Sequence, residues 1–311
     1  MREHDLIIIG AGPAGISAAI AAQKRGIENI TIVDRLSSPG GMLTQCFHYG
    51  FGEAIYNEEL NGPGFIERLL ETVDKNKIEI LTNSFVSNIE EDFTVNIINE
   101  NGVHRIKPKA IIVATGCRER PAGTLDIYGS RPAGVYTAGS VQKMINLFGY
   151  RSGKRAVILG SGDVGLIVAE HLTKTGTEVV EIIEKLDNIS GLEKNRTRYI
   201  LPNNIPIRTK CTITKLHGEK RLVSVTVCEI DEKGIPIEES AYEIECDTLI
   251  TSVGLIPELE IIKGFGLKFT DFPNLFVCGN ANEIHSMVDS VVEEGSITGE
   301  LAAEYIKNRF S

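Results

Sequence analysis

Three observations in this 311-residue sequence predict an α/β fold built from two parallel-sheet units. A short apolar run, Leu6 to Ile9, breaks at a glycine triplet and continues into an Ala-rich helical pattern. A second run, Ala156 to Leu159, breaks at a second triplet and does the same. In both places a further apolar strand ends in an acidic residue, and that acid lies 19 residues after the last glycine of the triplet. The second stretch is the first displaced by 150 residues, from Gly10 to Gly160 and from Asp34 to Glu184. An internal repeat with matched acid spacing is hard to reach by chance, so each copy reads as one supersecondary unit.

The first copy is DLIIIGAGPAGISAAIAAQKRG followed by ENITIVD. Leu6 to Ile9 reads as a buried parallel strand. Gly10, Gly12 and Gly15 form G-x-G-x-x-G, a helix follows to about Gly26, and the strand Ile30 to Val33 delivers Asp34. This order of strand, glycines, helix, strand and acid is the Rossmann-like arrangement that dinucleotide binding requires. Gly10 permits the tight turn, Gly12 lets the backbone approach a pyrophosphate, and Gly15 lets the helix pack close to the sheet. The helix start at Pro13 and Ala14 offers partial positive charge and, from Ala14 onward, free N–H groups to phosphates. Asp34, followed by Arg35, can accept hydrogen bonds from an adenosine ribose.

Bulk properties narrow the function classes. The length allows two domains with separate cores, and the content of 42% hydrophobic and 24% charged residues is that of a soluble globular protein. A formal charge of −10 argues against nucleic acid and anionic membranes as partners. The apolar runs are too short to span a bilayer, and MREHD leads straight into a strand with no secretory signal. Six scattered cysteines, none in C-x-x-C, suit reduced thiols and a cytoplasmic location, and they suggest no metal site.

After Asp34, the stretch LSSPGGMLTQCFHYGFGE carries a second glycine break at Gly40 and Gly41, then Met42, Cys46, His48 and Tyr49. In flavoproteins of this architecture such a stretch runs beside the isoalloxazine ring. Cys46 reads foremost as a packed thiol and His48 as a structural or partner-facing histidine. Residues 62–75 read as an amphipathic helix with Phe65, Ile66, Leu69, Leu70 and Val73 on one face. Strand-like segments occupy 78–112 with a turn at Asn101-Gly102. The strand Ile111 to Ala114 then ends at Thr115-Gly116, an A-T-G that marks the exit from the first unit.

The second copy places Gly160, Gly162, Asp163, Val164 and Gly165 before a helix that stops near Gly176, and Glu184 after the strand Val179 to Ile183. A carboxylate at 184 accepts from a free ribose 2′-OH and repels a 2′-phosphate, which favours NAD over NADP. Lys185 beside it keeps NADP open. Residues 207–246 alternate apolar and polar as a β-meander, and CDTLITSVGLIPELE is a return strand with Gly254 and Pro257 at the crossover. From Thr270 a closing stretch gives the strand Leu275 to Cys278, the turn Gly279-Asn280 and a helix from Met287 and Val288 onward, with small residues near Gly295 and Gly299. Asn280 can meet a flavin ribitol hydroxyl, and the helix N-terminus can face the flavin's electron-rich edge.

Together these landmarks resemble the FAD/NAD(P)-dependent pyridine-nucleotide oxidoreductases, in the small two-domain form of the thioredoxin reductases. The resemblance implies FAD on the first glycine motif and on the closing T-x-x-P-x-L-F-V-x-G stretch, and a nicotinamide on the motif at Gly160. It implies a discontinuous FAD-binding domain, 1–122 and 248–311, with an NAD(P)-binding domain, 123–247, inserted into it. The chain departs from the thioredoxin reductases where their C-x-x-C lies, since GVYTAGSVQKMINLFG has no cysteine. The larger disulfide reductases place two cysteines after the first G-G, where only Cys46 follows here. Without a dithiol the usual mixed-disulfide route is closed. GGMLTQCFHYGFGE, GCRERP, RPAGVYTAGSVQKMIN and CGNANEIHSMVDSVVEEG are similar to the FAD/NAD-binding subunits that accompany glycerol-3-phosphate dehydrogenase-like proteins. They are also similar to the α-type subunits of hydrogen cyanide synthase, opine oxidase and dye-linked proline dehydrogenase. The Gly279-Asn280 pair fits this subgroup, whereas most relatives in the wider family carry Gly-Asp there.

That resemblance implies an electron-transfer subunit of a hetero-oligomer, working with a partner dehydrogenase or iron–sulfur subunit. Two rivals are a flavin relay without nicotinamide turnover and a disulfide or peroxide reductase using Cys46. No catalytic acid or base is assigned, because hydride transfer belongs to the cofactors. His48 and His285 are expected near the flavin in positional roles.

Overall fold

The computed structural model describes residues 4–263 and 272–310. Thr270, at the head of the closing motif, and the first three residues lie outside the described residues. The chain divides into two compact units, one made of residues up to Arg118 and from Pro257 onward, the other of Glu119–Ile256.

The first unit is organised by a five-stranded parallel sheet in the order Leu275–Val277, Ala110–Val113, Leu6–Ile9, Ile30–Val33, Ile78–Leu81. The three central strands are buried at every position, which is why they read as continuous apolar runs. One face is covered by the helices Pro13–Lys24, Gly62–Glu71 and Val288–Phe310, through Ile16, Ile20, Phe65, Leu69 and Ala302. The other face packs on an antiparallel meander, Phe85–Ile89, Val95–Asn99 and Gly102–Ile106, through Val86, Ile89, Phe93 and Val95. The helix expected over 62–75 stops at Glu71, with Asn61 capping the Gly64 N–H at 2.8 Å.

The second unit repeats the plan. Its parallel sheet runs Val135–Thr137, Thr248–Thr251, Arg155–Leu159, Glu178–Ile183, Ile207–Arg208. Helices Ala138–Phe148 and Asp163–Lys174 cover one face, through Val141, Leu166 and Leu172. Strands Cys211–His217, Ser224–Glu229 and Tyr242–Glu245 form an antiparallel layer that contributes Ile213, Val225 and Ile244 to the core on the other face.

The compact units divide at 118/119 and 256/257, beside the expected domain edges at 122/123 and 247/248. Two strand expectations are corrected. Thr248–Thr251, expected to open the returning segment, is a central strand of the second sheet, paired with Val135–Thr137 on one side and Arg155–Leu159 on the other. A four-residue run buried at every position fits the middle of either sheet, and only its non-local partners decide which. The meander also begins later than residue 207. Ile207–Arg208 completes the parallel sheet, and the antiparallel pairing starts at Cys211.

Candidate dinucleotide sites

The two glycine loops have the same geometry, 150 residues apart. Gly10 and Gly160 sit at φ of 110° and 103°, a region favouring glycine. A Cβ on Gly10 would overlap the Ala114 carbonyl oxygen, and one on Gly160 would overlap the Ser252 carbonyl oxygen. Gly15 and Gly165 pack against the backbone of Gly10 and Gly160, which lets each helix lie close to its strand. Gly12 is different. Nothing lies within 4 Å of where its Cβ would be, and at Gly162 only the Ser190 hydroxyl does, at 3.9 Å. Both are N-caps without a side-chain cap, so the first N–H groups of helices Pro13–Lys24 and Asp163–Lys174 are left for an outside acceptor. An open flank beside uncapped N–H groups fits a pyrophosphate.

Each acid braces its loop. Asp34 accepts from the Ala11 N–H at 2.7 Å and the Leu36 N–H at 2.8 Å. Glu184 accepts from the corresponding Ser161 N–H and Leu186 N–H, both at 2.9 Å. A carboxylate has about four acceptor positions. Asp34 therefore keeps free ones for a ribose.

Above the first loop lies a cavity of about 720 Å³, within the size range of cofactor pockets. Gly10, Gly12, Pro13 and Ala14 form one wall, with Asp34 and Arg35 beside them. Gly41 and Met42 come from the second glycine break, and Thr115 and Gly116 from the A-T-G turn. Asn280, Met287 and Val288 close it from the last segment. Gly15 and Gly279 do not line it. Gly279 instead packs so closely on Ala14 that a Cβ would meet the Ala14 Cβ at 2.7 Å. The size, the uncapped helix start, the open Gly12 flank and the acid together fit FAD.

Sequence reasoning did not single out Ser84 to Ser87, Cys117, Arg118, Glu258, Glu260 or Cys278, all of which line the same cavity. The returning segment is tied to the A-T-G turn, with Thr115 Oγ1 donating to the Glu258 carbonyl at 2.5 Å and the Glu258 N–H to the Gly116 carbonyl at 2.9 Å. Arg35 and Arg118 at the cavity wall pair with Glu258 at 3.2 Å and Glu260 at 2.6 Å.

His285 also lines the cavity. Its Nε2 lies 2.6 Å from Glu294 Oε2, which also accepts the Gly279 N–H at 2.9 Å, while Asn282 donates to Oε1 at 2.8 Å. The His285 N–H donates to Asn280 Oδ1 at 3.0 Å. One carboxylate on the last helix thus gathers the 279–285 turn and fixes Asn280 with its amide nitrogen toward Cys117 Sγ, 3.7 Å away. A carboxylate in this sequence context gave no spacing signal.

His48 and Cys46 do not line the cavity, although Met42, Leu43 and Phe51 of the same stretch do. The His48 ring packs at a tilt against Phe51, with centroids 4.9 Å apart. Cys46 Sγ lies 3.3 Å from the Met42 carbonyl, and burial pushes its thiol up to about 12. A thiol held protonated at neutral pH is a poor nucleophile. We expect Cys46 to resist iodoacetamide at pH 7.5 in the native protein and to react after denaturation, as intact-mass spectrometry would read. Modification of native protein at Cys46, with loss of NADH-dependent flavin reduction, would revive the lone-thiol rival.

In the second unit Asp163 does not face its loop. Its Oδ1 accepts the Leu192 N–H at 2.8 Å and Asn195 Nδ2 at 2.7 Å. Val164, 37% exposed, stands at the open side of the helix start. Among the described residues no cluster of His, Cys, Asp and Glu could hold a metal, and no helix is long and apolar enough to cross a membrane.

A repeated, uncapped glycine-loop helix with an acid bracing each loop defines a two-dinucleotide oxidoreductase that uses FAD and a nicotinamide. The chain belongs to the pyridine nucleotide-disulphide oxidoreductase family, whose model matches residues 4–285. It is similar to hydrogen cyanide synthase subunit HcnB of Pseudomonas aeruginosa, 25% identical over 84% of this chain and 59% of that protein. It is also similar to ferredoxin–NADP reductase of Picrophilus torridus, 22% identical over 99% of this chain and 94% of that one. Its fold matches the crystal structure of T. acidophilum thioredoxin reductase with a TM-score of 0.76 at 21% identity, over the whole of both chains. The chain spans about three-fifths of the length of the cyanide synthase subunit.

Proposed function

We propose that this chain is the nicotinamide-facing flavoprotein half of an electron-transfer complex, with FAD in the first unit and NAD(H) in the second. The observation that carries this reading is the missing dithiol. The resemblance to the thioredoxin reductases places their C-x-x-C in the stretch that forms helix Ala138–Phe148 here, and this helix has no cysteine. Electrons arriving on the flavin then need an acceptor outside the chain, a partner dehydrogenase or an iron–sulfur protein. The subunit and ferredoxin-linked names of two relatives agree with such an arrangement. A location in the cytoplasm belongs to the same proposal, from the reduced cysteines.

FAD and the nicotinamide supply hydride transfer when bound. The chain's own residues bind and orient. Gly12 and the start of helix Pro13–Lys24 hold the pyrophosphate, Asp34 the ribose, and Asn280, fixed by His285 and Glu294, a ribitol hydroxyl. In the second unit Gly160, Gly162 and Gly165 hold the nicotinamide dinucleotide and Glu184 its ribose. NAD is favoured because a carboxylate at 184 accepts from a ribose 2′-OH and repels a 2′-phosphate, and two of the nearby cations already have carboxylate partners. Arg208 donates to Glu181 at 2.9 Å, Lys210 pairs with Asp187 at 3.2 Å, and the end of Lys185 lies against Gly234. A 2′-phosphate would meet the Glu184 carboxylate while Arg208 and Lys210 are held by carboxylates of their own.

Anaerobic titration of the FAD-loaded chain with NADH and, separately, NADPH tests this. Rapid bleaching of the flavin band by NADH, and much slower bleaching by NADPH, is the expected result. Bleaching by neither leaves the relay reading, in which the second unit no longer turns over nicotinamide.

A further inference from the structure

The two glycine sites differ at one point that their common geometry makes easy to isolate. Around Asp34 the position equivalent to Ser161 is Ala11, Gly40 takes the place of Gly191 by donating its N–H to the Ala11 carbonyl, and the carboxylate receives two backbone N–H groups. Around Glu184, Ser161 and Ser190 both reach the carboxylate, which receives four donors. Beyond the Ser161 and Leu186 N–H groups, Ser161 Oγ donates to Oε2 at 2.5 Å and Ser190 Oγ at 3.0 Å. The two serines also brace each other, since the Ser190 backbone N–H donates to Ser161 Oγ at 3.0 Å and the hydroxyls lie 3.3 Å apart. Gly191 fits this closure, because its N–H donates to the Ser161 carbonyl at 2.9 Å and a Cβ there would press on that oxygen.

We propose that Ser161 and Ser190 are positioning residues that lock Glu184 in one orientation, and so set the choice of NAD over NADP. This rests on the second unit being the nicotinamide site. Three of the four donors occupy Oε2, which saturates it and leaves Oε1, with only the Leu186 N–H, as the free acceptor for a ribose hydroxyl. A 2′-OH donates to that oxygen. A 2′-phosphate brings a second anion to a carboxylate that cannot turn away. The same donors hold the charge. Burial pushes the Glu184 carboxyl up, but the bonds from Leu186, Ser161 and Ser190 outweigh burial and hold it below the usual carboxylate range. Since Glu184 stays ionised well below neutral pH, protonation does not relieve the clash with a phosphate in the working range.

The charged groups around Glu184 do not supply an alternative switch. Asp163, on the glycine-loop helix, is engaged by Leu192 and Asn195. Glu181, on the same strand, holds Arg208, and Tyr242 from the antiparallel layer donates to it at 3.3 Å. Asp187 holds Lys210, and Lys185 lies against Gly234.

The test is calorimetric binding of NAD⁺ and NADP⁺ to the FAD-loaded protein between pH 5.5 and 8, in wild type, Ser161→Ala, Ser190→Ala and the double variant. Oxidised nucleotides keep the readout independent of hydride transfer. Hydrogen bonds to a charged group are strong, so Ser161→Ala should weaken NAD⁺ by roughly tenfold. More specifically, the NADP⁺-to-NAD⁺ affinity ratio of the variants, divided by that of wild type at each pH, should rise above one, because an unlocked Glu184 can turn away from a 2′-phosphate. Dividing by wild type removes the titration of the nucleotide phosphate itself. A structural role alone would weaken both nucleotides equally at every pH, and that result would overturn the lock. Ser190 is solvent-exposed, so Ser190→Ala should fold even if Ser161→Ala does not, and Ser190→Thr should restore the wild-type ratio. Wild type binding NAD⁺ while the variants keep its ratio sinks the lock alone. Wild type binding neither nucleotide sinks the nicotinamide assignment and the lock with it.

Discussion

Gly12→Val is expected to give a folded chain without flavin, and Gly10→Val a chain whose first unit does not fold. The two glycines are two residues apart in one motif, but they meet opposite surroundings. Gly12 has φ −80° and ψ −177°, extended backbone that valine adopts readily, and nothing lies within 4 Å of its Cβ position. Its substitution should cost no more than about 1 kcal/mol, the scale of an unfavourable N-cap. The space it fills is the flank along which a pyrophosphate must approach the uncapped N–H groups. Gly10 has φ 110°, and its Cβ would lie inside the Ala114 carbonyl. Positive-φ strain and overpacking each cost about 1–3 kcal/mol, a large share of the roughly 5–15 kcal/mol that holds a domain together.

The readouts are the flavin absorbance of purified protein and its melting temperature. Gly162→Val supplies the crossed control, since φ −65° and ψ 166° are equally permissive. It should keep its yellow colour and lose reduction by NADH. A Gly12→Val protein with a full complement of flavin would remove FAD from the first loop. Gly162→Val reduced by NADH as fast as wild type would remove the nicotinamide from the second.

The contrast between these glycines also shows what the sequence makes legible. A turn at φ near 110°, a close helix–strand approach and an acid at a strand end are local demands on residue type, so they appear as fixed spacings at Gly10, Gly15 and Asp34 and again at Gly160, Gly165 and Glu184. The lining of the cavity is not local. Ser84 to Ser87 reach it from a meander, Cys117 and Arg118 from the exit turn, and Glu258 and Glu260 from the returning segment. None of these stretches has a periodicity that points to a ligand, because each is set by the partner it meets across the fold. The strand at 248–251 was opaque for the same reason. The 279–285 turn was half legible, since Gly279-Asn280 marks it but the carboxylate that holds it comes from Glu294, two turns into the next helix.

Gly299→Leu should destabilise the first unit by about 3 kcal/mol or more and loosen its hold on flavin. Gly295 and Gly299 lie four residues apart on helix Val288–Phe310 and therefore share a face. Across from them are Ala14 and Ala18, equally spaced on helix Pro13–Lys24 and almost fully buried. A Cβ on Gly299 would overlap the Ala18 carbonyl oxygen, and one on Gly295 the Ala14 carbonyl oxygen. Both obstacles are backbone, so no side chain can turn aside, and the helices themselves must separate. Separation would also disturb the cavity, because the start of one helix carries Pro13 and Ala14 and the start of the other follows Met287, all of which line it. The loss should therefore appear twice, as a fall in melting temperature on the order of 6–10 °C and as faster release of flavin on dilution. Ile297→Ala tests the opposite side of the same helix, where the side chain is 53% exposed, and should change neither quantity. If Gly299→Leu melts within a degree or two of wild type, the two helices are not in backbone contact. Stability lost with unchanged flavin release would separate the packing of this helix pair from the shape of the cavity at its ends.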